Sequence, residues 1–305
     1  MLLMLTTVVG CRQPDHAPGV VVDDLGRAVV LAKTPQRLAS LSPATTELLY
    51  AVGCGERLVL RDGWSDYPPQ AKKVSKIDGL QPSAEAILAF RPDLVLVNFP
   101  SPSLQAALDG AGVPWAALSP ETVPAVARSL RLVGQLCGEP KRGAEQATRF
   151  ESGMAKLSEA LRNQPKVKVF YEMDVGDGTR PFTIGRRSFA SGLLEAAGGR
   201  NVFADRNEAW FPVGLEAILA ADPDVVVLGD GDVPEHPQTP ALFAARNGFA
   251  QLRAVQQQRV APISASLVAR PGPRLLLAAV ALARILHPSV ALPADLTVTQ
   301  VGPAR

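Results

Sequence analysis

The feature that most constrains this chain is a unit written twice. Glu85-Ala-Ile-Leu-Ala-Phe-Arg-Pro-Asp-Leu-Val-Leu-Val97 and Glu216-Ala-Ile-Leu-Ala-Ala-Asp-Pro-Asp-Val-Val-Val-Leu228 agree in order as well as in letters. Each reads as a short helix with Ile and Leu on one face, stopped by a proline and followed by an unbroken apolar run. Such a run suits a strand buried on both faces, as in parallel sheets sandwiched by helices. A second echo precedes each copy: Glu47-Leu-Leu-Tyr-Ala-Val-Gly53 and Gly192-Leu-Leu-Glu-Ala-Ala-Gly198 are helical patterns closed by a C-terminal glycine. The expectation is an α/β protein of two related Rossmann-like lobes with central, mainly parallel sheets.

Between the copies, Pro140 suits the first turn of a helix, and Ala144, Ala147, Phe150, Met154, Leu157 and Leu161 recur at helical spacing until Pro165. A helix over most of residues 140 to 162 would be about 33 Å long. That makes a strut with a ligand cleft between the lobes it joins, and only a small hinge motion. The implied organisation is residues 1–10 as a signal peptide, 11–35 as tether and lead-in strand, and 36–125 as the N-terminal lobe. Residues 126–164 are the linking helical segment and 165–305 the C-terminal lobe. Within the lobes, Arg37 to Leu41 reads as a strand, Ser42-Pro43 as the cap of the next helix, and Trp64 to Pro69 as a loop. Asn201 to Pro212 reads as a loop holding Trp210 and Phe211, and Arg274 to Leu286 as a closing helix.

The first residues carry an address. Met1 to Val9 is apolar and uncharged, ends in Val8-Val9-Gly10-Cys11, and turns polar at Arg12. This reads as an export signal, and its junction resembles the lipobox of bacterial lipoproteins, in which Cys11 would be lipidated and become the first residue of a membrane-anchored protein. No Lys or Arg precedes the apolar run. Past residue 11 no stretch reaches the roughly 20 apolar residues needed to cross a bilayer.

Much chemistry is excluded. Lys and Arg total 31 against 29 Asp and Glu, with no basic block of the kind nucleic acid binding requires. Gly63-Trp-Ser-Asp-Tyr67 lacks the second glycine of a nucleophile elbow, and no phosphate loop ending in Gly-Lys-Ser/Thr occurs. Gly229-Asp-Gly231 is only a fragment of a dinucleotide motif. His16, His236 and His287 form no local pair, and no metal site made by side chains is expected. Three cysteines make no disulfide scaffold, and Cys54 and Cys137 read most simply as small buried residues. Neither enzymatic activity nor a resident cofactor is expected. What stands out instead is aromatic residues in loops: Trp64, Tyr67, Phe99, Trp210 and Phe211 lie at strand ends or connections, where α/β sheets receive ligands.

Ser40-Leu-Ser-Pro-Ala-Thr-Thr-Glu-Leu-Leu49, Ser65-Asp-Tyr-Pro-Pro-Gln-Ala71, the repeated Glu-Ala-Ile-Leu-Ala units, Gly198-Gly-Arg-Asn-Val-Phe-Ala-Asp205 and Pro273-Arg-Leu-Leu-Leu-Ala-Ala279 make the resemblance specific. Across roughly residues 36 to 287 the chain resembles the substrate-binding proteins of vitamin B12, haem and siderophore ABC importers, its cobalamin-binding members above all. The resemblance implies a monomer with ligand between two lobes, no catalysis, and delivery to a permease dimer with its ATPase. It places Trp64 at an aromatic ligand contact and Ser266 to Arg270 in a second contacting segment. There an acidic residue and two aromatics are replaced by Ser266, Leu267 and Val268, and Arg270 is retained. The ligand-binding candidates are Trp64, Tyr67, Trp210, Phe211, Leu267 and Arg270. Glu85 and Glu216 stand where the family docks onto permease arginines.

The expected function is an extracytoplasmic, lipid-anchored receptor that captures cobalamin or a related corrinoid. A haem or ferric-siderophore receptor of the same fold is the alternative, for which Arg180, Arg186, Arg187 and Arg270 could supply a cationic patch. A nitrogenase-like α/β enzyme would need cleft-facing cysteines or a nucleotide loop, and a sensor module would lack the transporter.

Overall fold

A computed structural model describes residues 19–79, 81–233 and 237–297. The signal segment, Cys11 and His16 lie outside these residues, as does His236. The chain enters through an antiparallel hairpin, β1 (Gly19–Val22) and β2 (Ala28–Leu31), two strands where the sequence suggests one. Asp23 closes its turn by accepting from the Leu25 and Arg27 N–H groups, and its second oxygen accepts from Ala117 N–H at 3.0 Å.

The first sheet consists of β3 (Leu38–Ser40), β4 (Leu58–Asp62), β5 (Lys76–Ile77), β6 (Leu94–Val97) and β7 (Trp115–Ala117), in the order β5-β4-β3-β6-β7 and parallel throughout. Helices α1 (Pro43–Ala51), α2 (Ala84–Ala89) and α3 (Pro102–Gly110) connect its strands. Helices α4 (Ala125–Leu136) and α5 (Pro140–Leu161) follow.

The second sheet takes β8 (Val167–Asp174), β9 (Phe182–Ile184), β10 (Gly199–Asn201), β11 (Trp210–Pro212), β12 (Val225–Leu228) and β13 (Val260–Pro262), ordered β11-β9-β8-β12-β13 with β10 beside β8. Its pairings are parallel except those of β9, which runs antiparallel to both β8 and the edge strand β11. Its helices are α6 (Phe189–Ala196), α7 (Leu215–Ala221), α8 (Pro240–Ala245), α9 (Arg253–Gln256), α10 (Ala265–Val268) and α11 (Leu275–Leu286). No helix among the described residues is long and apolar enough to cross a membrane.

The repeat is structural. α2 leads into β6 as α7 leads into β12, and the residue before each proline, Arg91 or Asp222, takes a left-handed conformation (φ 49° and 44°). The aspartate after each proline does the same work: Asp93 accepts from the N–H groups of Gln36 and Arg37 at 2.9 Å, and Asp224 from that of Lys168 at 2.8 Å. The adjoining strand is thereby held in register. Both apolar runs alternate between two cores, Leu94, Leu96, Val225 and Val227 facing the central one while Val95, Val97, Val226 and Leu228 face the outer ones. α1 and α6 end at Gly53 and Gly198, each at φ 83°, a conformation that disfavours any side chain.

The strut is the 22-residue α5, which at 1.5 Å per residue spans about 33 Å. Its buried stripe is Gly143, Ala147, Phe150, Gly153, Leu157 and Leu161. Ala144, expected in the stripe, is exposed, and Gly143 takes the inward place because α4 passes too near for a Cβ: one built there would lie 2.7 Å from Leu130 O. A Cβ on Gly153 would meet Leu276 of α11 at 2.3 Å. The strut is thus pressed against α4 on one side and α11 on the other. One buried cluster runs from Leu38 and Leu48 through Phe150 and Leu157 to Val169 and Leu194, so the two sheets share a core along α5.

Candidate ligand-binding cleft

Loops at the carboxyl ends of parallel strands are free to converge on a ligand, and here the loop after β4 is held by a buried polar chain. Thr46 Oγ1 is hydrogen-bonded to Ser40 Oγ at 2.8 Å and donates to Ser65 Oγ at 2.9 Å, Ser65 Oγ donates to Asp62 Oδ2, and Asp62 Oδ1 accepts from Trp64 N–H at 2.8 Å. Since these groups pin the backbone, the indole of Trp64 is left 64% exposed.

Trp64, Leu41, Asn98 and Phe99 line a cavity of about 590 Å³. A second cavity of about 600 Å³ shares Asn98, Phe99 and Ser101 with it and adds Ser119 and Glu121. A third, of about 970 Å³, shares Glu121 and Thr122 with the second. It is floored by Phe150 and Met154 of α5 and closed on the far side by Arg186, Arg187 and Ser188, just before α6. The three adjoin in a series that runs from the aromatic loops of the first sheet, past the strut, to the second sheet. Among the described residues the Arg187 side chain has no partner, whereas Arg186 donates to Asn207 Oδ1 at 2.8 Å.

A buried ion pair fastens the segment after the second sheet to α1. Arg274 donates to both Glu47 oxygens, at 3.0 and 2.6 Å, and to Ser266 O at 3.0 Å, while its guanidinium lies 3.9 Å from the centre of the Tyr67 ring. Burial pushes the Glu47 carboxyl up, against the pull of Arg274. Arg270 donates to Asp66 Oδ1 at 2.6 Å and lies 3.9 Å from Glu47.

These contacts revise the sequence reading. Tyr67 is half-buried with its ring against Arg274, and Arg270 is engaged by Asp66, so both already serve the junction between α1 and the 266–274 segment. Leu267, on α10, is half-buried against the central core. Trp210 and Phe211 were expected to share one loop, yet they lie in β11, where neighbouring side chains point to opposite faces. Trp210 is 60% exposed beside Phe182, with ring centres 5.9 Å apart, and Phe211 is buried against Phe203 at 5.8 Å. Of the six ligand-binding candidates, only Trp64 and Trp210 present broad free faces. The Glu47–Arg274 pair went unread, although a glutamate inside the apolar pattern Glu47-Leu-Leu-Tyr50 was the available signal.

A second unread cluster stands at the carboxyl ends of β8 and β12. Arg246 donates to both Glu172 oxygens at 2.6 and 2.7 Å and to Gln238 Oε1 at 2.6 Å. Asp230 is 4% exposed and its Oδ1 has no hydrogen-bond partner among the described residues. Burial, reinforced by the charge of Glu172, pushes its carboxyl up to about 7. The folded protein therefore holds a proton here that the unfolded chain has released, and stability contributed by the neutral acid is lost as pH rises from about 4 through 7. Asp230→Asn should gain about 1–3 kcal/mol over wild type at pH 8 and nothing at pH 4. Urea denaturation at the two pH values measures the difference, and a pH-independent effect contradicts it.

The family described as periplasmic binding protein matches residues 38–267, from β3 to α10, the span that carries both sheets and the strut. The chain belongs to that family. Its members act by binding, not by catalysis, and this binding protein is extracytoplasmic in kind. The vitamin B12-binding protein of Pectobacterium carotovorum is 32% identical over 252 residues, covering 80% of this chain and 86% of the relative. An uncharacterised ABC transporter substrate-binding lipoprotein of Bacillus subtilis, YvrC, is 27% identical over 308 residues, 94% of this chain and 95% of its own. Among solved structures, the periplasmic haem-binding protein BhuT in complex with two haems superposes with a TM-score of 0.76 at 29% identity, over 84% of this binding protein and 99% of that chain.

Proposed function

We propose that this binding protein captures cobalamin or a related corrinoid in the cleft along α5 and delivers it to an ABC permease dimer with its ATPase. The observation that carries the reading is the series of adjoining cavities that runs from the free indole of Trp64 past α5 to the residues just before α6. The extended similarity to vitamin B12-binding proteins supports a corrinoid as the occupant. Haem is the second reading, favoured by Arg187 at the cavity wall, whose guanidinium suits an anionic rim, and by the likeness to a haem-binding structure. Trp64, which lines these cavities, is the proposed stacking residue, with Trp210, on β11 and outside all three, as a proposed further contact, and Cys11 the proposed lipid attachment that tethers a monomer to the outer face of the membrane. The intact mass of native protein tests the attachment directly: an unmodified Cys11 excludes it.

Titration of the purified protein with cyanocobalamin, haemin and ferric siderophores tests the ligand. Saturable binding of cyanocobalamin in preference to the others is expected. Trp64→Ala, which removes an exposed ring that supports no core, should cost about 1–3 kcal/mol of affinity, or roughly 5- to 150-fold. Tight haemin binding with no corrinoid binding moves the function to the second reading, and unchanged affinity in folded Trp64→Ala removes the stacking role.

Glu85 and Glu216 are proposed as the two permease contacts. Both are exposed in the first turns of the repeated helices. Glu85 accepts from Ser83 Oγ at 2.6 Å, the contact that chiefly holds its carboxyl below the usual range and keeps it ionised. A pair carried by equivalent helices suits a two-fold symmetric partner.

A further inference from the structure

We propose that Cys54 and Cys137 are joined by a disulfide in the exported protein, stapling the ends of α1 and α4. The location rests on the extracytoplasmic reading; the pairing rests on the geometry of the two helix ends. Both cysteines are fully buried in the central core. Cys54 follows the left-handed Gly53 that closes α1, and Cys137 caps α4 just before the left-handed Gly138, so two helix C-termini deliver the sulfurs to one place.

Arg57 clamps the two backbones: its N–H donates to Cys54 O at 3.0 Å and its guanidinium to Cys137 O at 2.8 Å and Glu139 Oε1 at 3.3 Å. A cation between two helix C-termini also offsets their partial negative charge. The thiols interact directly, and this contact is the main reason the Cys54 thiol is held below its ordinary range while that of Cys137, also desolvated, is pushed well above it. Both thiols are free in the structure and buried side by side, so the site is preformed for the bond.

The cell envelope is where such a pair meets an oxidant. The oxidant is a disulfide-carrying thiol oxidoreductase, acting before folding buries the sulfurs. One of the two cysteines, as its thiolate, attacks the donor disulfide, forming a mixed disulfide and releasing one donor thiolate. The thiolate of the other then displaces the second. Two protein thiols become one disulfide, the donor disulfide becomes two thiols, and the two protein protons end on the donor. The ring encloses about 80 residues, from β4 through α4. A cross-link there limits the unfolded chain and fixes the first sheet to the helical pair that leads into the strut.

The test is thiol trapping of full-length protein isolated from the envelope, with acid quenching and alkylation under denaturing conditions before and after reduction. Expected are Cys54 and Cys137 alkylated only after reduction, and a non-reduced proteolytic fragment joining them, which separates this pairing from one with Cys11. Reduction should lower Tm by roughly 5–15 °C. The Cys54→Ser/Cys137→Ser protein, if it folds, should melt near the reduced wild type and ignore reductant. Complete alkylation of both thiols without reduction in envelope-derived protein overturns the proposal. If native protein is recovered only from the cytoplasm, the extracytoplasmic reading fails, and the pair is then judged by refolding the denatured, reduced chain in a glutathione redox buffer: closure supports the pairing and persistent free thiols in the refolded protein overturn it.

Discussion

Reversing the two helix-start glutamates together, Glu85→Lys with Glu216→Lys, is expected to abolish ligand uptake while leaving ligand affinity of the free protein nearly unchanged. Both side chains are exposed, and neither lines the cavities along the strut. If they meet arginines on a two-fold partner, reversal sets like charges opposite each other at two places at once, and such juxtaposition costs several kcal/mol at an interface. Single reversals should be intermediate. Raised salt should weaken wild-type docking more than ligand capture, since pairing between exposed charges is screened and stacking on an uncharged ring is not. Without a docking role, each glutamate complements only the positive end of its own helix, and uptake by the double variant should then match wild type. Transport assays in cells beside ligand titrations of the purified protein separate the two outcomes.

Arg274→Ala is expected to destabilise the fold by about 3–5 kcal/mol, because it strands Glu47 without its bidentate partner in a buried site. The loss should shrink at acid pH. Burial already raises the Glu47 carboxyl, and without Arg274 it rises further, so lowering the pH neutralises the stranded charge in the folded variant before it does so in the unfolded chain. Replacing both partners with apolar residues, Glu47→Met with Arg274→Leu, should recover much of the loss, as is common when a buried pair is exchanged whole. Arg274→Lys should not, since one ammonium cannot reproduce two parallel hydrogen bonds and a guanidinium face on Tyr67. Urea unfolding at pH 8 and pH 5 measures all four proteins; an Arg274→Ala loss under about 1 kcal/mol at pH 8 would contradict a structural role for the pair.

By itself the sequence determined the architecture. The doubled unit, the apolar runs Leu94 to Val97 and Val225 to Leu228, the closing glycines Gly53 and Gly198 and the periodic stretch after Pro140 are local patterns. Strand alternation, helix periodicity and the left-handed turn act within a few residues, and one letter string displays them. Tertiary structure alone decided how side chains from distant segments meet. Phe211 looked equivalent to Trp210 until β9 paired with their segment as a strand and sent the two rings to opposite faces. Arg270 looked free until Asp66, some two hundred residues away, arrived beside it. Glu47 found Arg274 across an interval of 227 residues, and Cys54 came beside Cys137 across a shorter one of about 80. The physical reason is the range of the interactions. Burial, ion pairing and thiol contact depend on which helices the shared core presses together, and that packing is a property of the whole chain.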